Sequence, residues 1–422
     1  MTNEVLQKTA SDEQNVSSSN GLEPKLRFPN FIEKWTRFEA ENIFKNITDK
    51  NHPTDTVLTI QQGRGTLPRD LSGRNILYDN TNTKNYKRVQ FGDFIIHLRS
   101  FEGGLEMANE QGIVSPAYTI LRYIKPIAFG FYKAYFRTNE FINHILSKSV
   151  EGIRDGKQIS YDAFKWLAIP YCQLEEQQKI ADFLSLVDQR IEKQRQLVES
   201  LKKYKRGLLS AIFDHKLRFK DENGNDYPEW DNFVLDNLGS FYNGLSGKNK
   251  DDFGTGNSEY ITYMNVFKNT IANETICERV NILPNEHQNI VNFGDLLFTQ
   301  SSETMEEVGF CSVWNSHKKV FLNSFCFGLH FNNSKFAYPQ FMAHYMRSYK
   351  IRLLIMRESQ GATRINLSSE RLKKIELSLP PYKEQKIIAH FIERYDNTIQ
   401  NEEKKLEMFN NLKQGLLQQM FI

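Results

Sequence analysis

Three stretches of this 422-residue chain carry residue types and spacings that could do chemistry. Leu379-Pro380-Pro381-Tyr382 has the shape of a loop that holds an amino group for methyl transfer. That chemistry needs Asn or Asp ahead of the prolines to accept hydrogen bonds from the amine. Leu379 stands there instead, and no glycine-rich methyl-donor loop lies upstream. A rigid Pro-Pro lead-in to a helix is the plainer reading. Gly244-Leu245-Ser246-Gly247-Lys248 is half a phosphate loop, but Tyr242 replaces the first glycine and Asn249 follows the lysine. Glu384-Gln385-Lys386 supplies one half of a common nuclease site, whose Pro-Asp half appears nowhere. The sequence also lacks Gly-x-Ser-x-Gly and His-Glu-x-x-His. Cys172, Cys277, Cys311 and Cys326 are scattered, without the close ligand pairs of structural zinc. We expect no catalytic residues, no metal site and no cofactor held by this chain.

The elements that would position any such residues point elsewhere. The length calls for two or more cores, and 40% apolar with 13% aromatic residues is enough to fill them. No run approaches about eighteen consecutive apolar residues, and no secretory leader is visible, so the reading is a cytoplasmic protein. Net charge is +3, although Glu4, Asp12, Glu13 and Glu23 against Lys8 give the first 24 residues −3 and leave +6 elsewhere. Local basic surfaces suit that balance without demanding nucleic acid.

The chain is written twice. Lys25-Leu26-Arg27-Phe28 recurs as Lys216-Leu217-Arg218-Phe219, each followed by a tryptophan, Trp35 and Trp230. Phe91-Gly92-Asp93 recurs as Phe293-Gly294-Asp295, and Gly152-Ile153-Arg154 has a looser echo in Gly361-Ala362-Thr363-Arg364. The strongest match starts at Glu176-Gln177 and Glu384-Gln385 and runs without a gap to Phe213 and Phe421. About a third of those paired positions are identical. A repeat of this size means a duplicated architecture.

The matching segments read as long helices. Ile180, Leu184, Val187, Ile191, Val198, Leu201, Leu208 and Ile212 follow steps of three and four. Ile388, Ile392, Tyr395, Ile399, Leu406, Phe409, Leu416 and Met420 fill the equivalent places. Gln194 with Glu402, and Lys205 with Lys413, interrupt both seams at the same points. A heptad stripe this narrow favours two helices packing on each other. At 1.5 Å per residue each would be about 55–60 Å long.

Between the helices, residues 25–170 and 216–380 mix β-branched and aromatic runs with turn residues. Phe94–Arg99 alternates, with Phe94, Ile96 and Leu98 on one face and His97 and Arg99 on the other. Tyr260–Tyr263 and Phe325–His330 also read as strands, while Phe131–Leu146 and Pro339–Arg357 read as helices. The Ser, Asn and Gln content of residues 1–24 predicts a disordered tail. The expected organisation is therefore a tail at 1–24, mixed domains at 25–170 and 216–380, and helices at 171–215 and 381–422.

These residues together resemble the specificity subunits of type I restriction-modification enzymes. The resemblance covers residues 25–422 and rests on the duplication, the Lys-Leu-Arg-Phe starts and Leu379–Gln385. Arg99–Gly104, Val114–Tyr118 and Tyr260–Val266 add to it. It implies an α+β fold: tandem-duplicated mixed α/β target recognition domains, each followed by a long helix, with the helices pairing as an antiparallel coiled coil. It implies a non-catalytic chain that reads an asymmetric, split double-stranded DNA site with one domain per half. The partners implied are methyltransferase subunits, two by the internal symmetry, docked on the helical regions and carrying S-adenosylmethionine. A motor-nuclease subunit using ATP and Mg for restriction could join them. The first half departs from the pattern at Pro170-Tyr171-Cys172, which lacks the second proline. Two heads on one side of a duplex predict half-sites about one helical turn apart, roughly 10 bp or somewhat more. The alternative is a coiled-coil scaffold, or an orphan specificity module that directs no modification.

Phosphates are bound by Lys and Arg, guanine edges by Arg or Lys, and adenine edges by Asn or Gln. The DNA-contact candidates are Gln62, Arg64, Lys84, Lys87, Arg88 and Arg99 in the first domain. Those in the second are Lys248, Asn249, Lys250, Asn265, Gln300 and Arg364. Gln177 and Gln385 are the candidates for the methyltransferase interface, with helix capping as the rival role.

Overall fold

In a computed structural model, the two repeated segments form uninterrupted helices, Leu174–Phe213 and Tyr382–Met420. The structure describes residues 23–73, 80–152, 158–333 and 335–421, with the side chains of 80–82 left aside. Most of the expected tail, and the Ile153-Arg154 echo, lie outside the described residues.

The chain forms two units: Met1–Gln196 with Lys404–Ile422, and Leu197–Glu403. Each unit thus combines one mixed domain with the first part of its own long helix and the last part of the other. In the first unit, Ile180 and Leu184 pack with Leu417, Met420 and Phe421 in one core. Asp188 meets Lys413 across the pair at 2.5 Å. In the second unit Ile212 and Phe213 join Ile388 and Ile392, and Lys205 pairs with Asp396. Chain numbers fall along one helix as they rise along the other, so the paired segments in each unit run antiparallel. The lysines that interrupt the seam are paired with aspartates that are themselves repeat equivalents.

Each domain is closed where its helix begins. Thr36–Glu39 pairs antiparallel with Ala168–Tyr171, and Asp231–Val234 with Glu376–Leu379. Leu379 is thus a buried strand residue facing Asp231, not part of a methyl-transfer loop. Just beyond, a buried carboxylate ties the start of the domain to the helix. Arg27 Nε donates to Glu176 Oε1 at 2.7 Å and Trp35 Nε1 to Glu176 Oε2 at 3.0 Å. Arg218 Nη2 donates to Glu384 Oε2 at 2.8 Å.

The central sheet of each unit has four antiparallel strands in the same order. In the first they are Phe44–Ile47, Thr119–Tyr123, Phe94–Ile96 and Glu106–Met107. In the second they are Gly239–Asn243, Cys326–Phe331, Leu296–Thr299 and Cys311–Val313. The Phe-Gly-Asp turns start the third strand of each. Gly92 and Gly294 have φ of 90° and 86°, a region open to glycine, and a Cβ on Gly92 would strike the Phe129 ring. The following aspartate is buried and accepts a backbone N–H from three residues back, Gln90 to Asp93 and Asn292 to Asp295. Arg122 then pairs with Asp93, while His330 and Tyr242 bond Asp295.

Several sequence expectations are corrected locally. The strand read across Phe94–Arg99 stops at Ile96, and Leu98 is 62% exposed. Both strand faces are buried, Phe94 and Ile96 in the large core and Ile95 in a smaller one with Leu58 and Val89. Thr262 ends the strand Phe253–Ile261 and caps the helix Tyr263–Lys268, accepting from Asn265 N. Phe131–Leu146 is not one helix: Thr138 bonds Tyr135 O and Phe141 N and breaks it. Pro339–Arg357 splits into Pro339–Met346 and Tyr349–Glu358, with Ser348 between.

Candidate nucleic-acid interface

In the first unit the outer hairpin Leu58–Gln61/Gly65–Pro68 turns through Gln62, Gly63 and Arg64. Its tip is fixed from behind by one fully buried carboxylate. Gly63 N donates to Glu106 Oε1 at 2.7 Å and Gly65 N to Oε2 at 2.9 Å, while Arg137 pairs with the same group. Asn109 Nδ2 adds bonds to Arg64 O (2.7 Å) and Thr66 O (2.8 Å). Gly65 has φ of 87° and a Cβ on it would stand 2.5 Å from Met107 O, so this close approach requires glycine. The backbone is thereby held while the side chains of Gln62 and Arg64 stay exposed.

Beside that tip, where the strand Phe94–Ile96 ends, lies a polar cleft of about 430 Å³. Gln61, Gln62, His97, Arg99 and Tyr118 line it. His97 Nδ1 accepts from Arg99 N at 3.3 Å, and burial pushes the imidazole down, against the pull of Glu106. With Nδ1 accepting, the neutral ring carries its proton on Nε2. Lys87 Nζ donates to Tyr118 O, and burial aided by Lys50 lowers its pKa. Arg88 is paired with Asp55 at 2.9 Å. Lys84 is exposed. The structure thus gathers Gln62 and Arg99 at one cleft, sets Arg64 at the adjoining tip, and engages Lys87 and Arg88 in internal contacts.

The second unit has a cleft beyond the equivalent strand, Leu296–Thr299, with a volume of about 410 Å³. Its lining is different: Tyr263, Met264, Phe267 and Phe325 form apolar walls, with Glu303, Glu307 and Arg364 at polar positions. Tyr263 Oη donates to Ser301 O at 2.6 Å and its ring stacks on Phe267 at 5.9 Å. Behind them Arg347 Nη2 donates to the carbonyls of Val266, Phe267 and Asn269 at 2.8–3.0 Å. This guanidinium satisfies the open end of the short helix that carries the cleft residues. Arg352 donates to Gly309 O at 3.0 Å and to Glu306 O at 3.0 Å. Both guanidinium groups lie over Phe310, and burial lowers each to about 10. They remain cations at neutral pH.

Arg364 lines this cleft and Gln300 sits at its edge, its N–H bonded to Phe325 O at 2.8 Å. Lys250 is exposed, and Asn249 caps the turn Lys250–Asp252 through Asp251 N. Two candidates of this domain are corrected. Lys248 is 2% exposed and held by Glu286, so its charge is already spent internally. Asn265 is fully buried, bonding Asn273 through both its donor and its acceptor at 2.8 Å.

Gln177 and Gln385 are corrected too, because both are fully buried and no partner can reach them. Gln177 accepts from Ala128 N and donates to Cys172 O. Gln385 accepts from Tyr338 N and donates to Phe336 O and Pro380 O. Each glutamine clamps its helix start to the loop before the helix at Phe129 or Pro339. Sequence reasoning does not single out Glu106 and Asn109, which fix the hairpin tip from inside, or Met264 and Phe325, which line the second cleft. Met264 lies within the motif Tyr260–Val266, one residue past the stretch read as a strand, and its apolar type gives no reason to expose it.

Among the described residues no three His, Cys, Asp or Glu side chains are placed to hold a metal, and no helix is long and apolar enough to cross a membrane. Comparison with known proteins adds the family. Residues 38–203 and 227–410 each match the family described as type I restriction modification DNA specificity domain. The putative type I restriction enzyme MjaX specificity subunit of Methanocaldococcus jannaschii is 24% identical over 310 residues, 70% of this chain and 67% of that protein. The MjaVIII specificity subunit of the same organism is 24% identical over 60% of this chain and 61% of its own length. Among solved structures, the type I restriction-modification S subunit of M. genitalium matches with a TM-score of 0.52 and 15% identity, covering 95% of this chain and 99% of that one. A chain from a structure on complex assembly and conformational transition of the type I R-M system matches with 0.58 and 16%, covering 94% and 99%. At these identities the structural likeness bears on the fold.

Proposed function

Because the chain belongs to the type I restriction modification DNA specificity family, matched once in each half, we propose that it reads a split DNA target, one unit per half-site. A specificity subunit of this kind recognises DNA sequence and performs no catalysis. The observation that supports the finer reading is the pair of clefts at the ends of equivalent strands, polar in one unit and aromatic in the other. The same topology with unlike linings suits two unlike half-sites, hence an asymmetric target. The helices serve as the spacer between the two readings.

Methyltransferase subunits, two by the internal repeat, dock on the helical regions and bring S-adenosylmethionine. A motor-nuclease subunit with ATP and Mg completes a restricting assembly. With Gln177 and Gln385 internal, docking falls to exposed neighbours such as Gln178 and Lys386. Selection of duplexes from a random pool by the chain with its methyltransferase tests the reading. Two short sequence blocks at a fixed gap of about one helical turn are expected. A single uninterrupted block contradicts it.

A further inference from the structure

The aromatic cleft of the second unit is built unlike a surface that reads stacked base pairs. Base edges in a groove are met by side chains that project into it. Here the apolar side chains instead wall a concavity, and its volume of about 410 Å³ sits at the small end of the usual range for ligand pockets, about 300–1,000 Å³. An intact duplex cannot enter such a space, whereas one planar ring can. Phe325 and Met264 are 58% and 47% exposed there, and the stacked pair Tyr263 and Phe267 is held rigid by Ser301 and Arg347.

The polar groups narrow the ligand. Glu303 and Glu307 carry carboxylates that accept hydrogen bonds and repel phosphate, while Arg364 only donates. An acceptor beside a donor matches a base with an exocyclic amine next to a ring acceptor: the N6/N1 edge of adenine, the N4/N3 edge of cytosine or the N2/N3 edge of guanine. We propose that this cleft captures a single amino-bearing nucleobase, swung out of the bound DNA, between the aromatic walls. Phe325 and the Tyr263–Phe267 pair stack on the ring, a Glu303 or Glu307 carboxylate accepts from the amine, and Arg364 donates to the ring acceptor. Extruding a base breaks its pairing and stacking, a cost that the new stacking and edge hydrogen bonds offset. The inference rests on the reading of the second unit as a DNA-recognition domain.

The test uses the full chain with its methyltransferase, on duplexes carrying the target found by selection. 2-Aminopurine is placed next to each candidate base of one half-site in turn, where its fluorescence rises when the neighbouring base leaves the stack while the captured base keeps its amine. Free adenosine and cytidine are titrated separately against the same protein. The expected result is a several-fold fluorescence rise at one position of the second half-site, abolished by Phe325→Ala. That substitution should weaken DNA binding about 5- to 150-fold, the usual worth of one stacked base. Glu303→Gln and Glu307→Gln, each at a solvent-reachable position, should reduce the same signal. Tight, sequence-selective binding with no fluorescence change at any position overturns base capture and leaves DNA recognition standing. Binding of free nucleosides without any such change assigns the cleft to a soluble ligand and also overturns it. Loss of selective DNA binding by the unaltered chain would sink the underlying reading instead.

Discussion

A buried polar side chain and an exposed one can look alike in a sequence, and this chain shows both outcomes. Gln177 and Gln385 repeat because each closes a domain onto its helix, not because a partner touches them. Nothing in residue type or spacing distinguishes those roles; only burial does. The exposed turn at Arg64 is legible, since the glycines on either side mark a bend that brings backbone and side chain outward. Replacing Arg64 by Ala should weaken binding across all sequences and lower the salt slope by about one, if it meets phosphate. Gln62→Ala should instead relax preference at one position, read by competition among target variants. The buried Glu176 carries a different expectation. Glu176→Ala strands Arg27 and Trp35 Nε1, and a loss of about 3–5 kcal/mol in urea unfolding is expected. His344 gives a pH test. Burial, with Lys205 and Arg347 nearby, lowers its pKa to about 3. Above about pH 6.5 the imidazole is neutral in both states. As pH falls from there toward 3, the unfolded chain binds a proton that the folded chain cannot, so stability is lost. His344→Gln should flatten that loss between about pH 6.5 and 4, and an unchanged slope would show the imidazole is not its source.

At the scale of elements, the long helices were the most readable part, because a sustained apolar stripe leaves few alternatives. Their polar interruptions were read as gaps in the seam, yet Lys205 and Lys413 meet Asp396 and Asp188. In a double-mutant cycle Lys205→Ala with Asp396→Ala should show coupling of only about 0.2–1 kcal/mol, as for partly exposed pairs. Coupling well above that would mean the pair sets helix register rather than trimming it. Shorter elements were read less well. Thr138 and Ser348 break helices that apolar spacing alone would continue, and Thr262 turns a strand into a helix start. The strand Phe94–Ile96 is buried on both faces, so alternation in the sequence did not separate inside from outside.

For the whole molecule, duplication is written openly in the chain, and the same sheet order recurs in each unit. What the sequence did not show is that the helix ends cross over, so that each unit takes Phe213 or Phe421 from the other half's helix. Alignment marks these positions as equivalent without saying which core they enter. The clefts were invisible for a similar reason: Tyr263, Phe325 and Arg364 are separated widely in the chain and meet only in the fold. Under the proposed function, two unlike readings are joined in one chain. The most direct test is genome-wide methylation mapping after co-expression of the chain with its methyltransferase, beside a strain lacking the chain. The expected result is methylation at a split motif with a fixed gap, absent without the chain, in which exchanging residues 216–380 alters one half alone. Methylation that persists without the chain, or that marks one short uninterrupted motif, would contradict it.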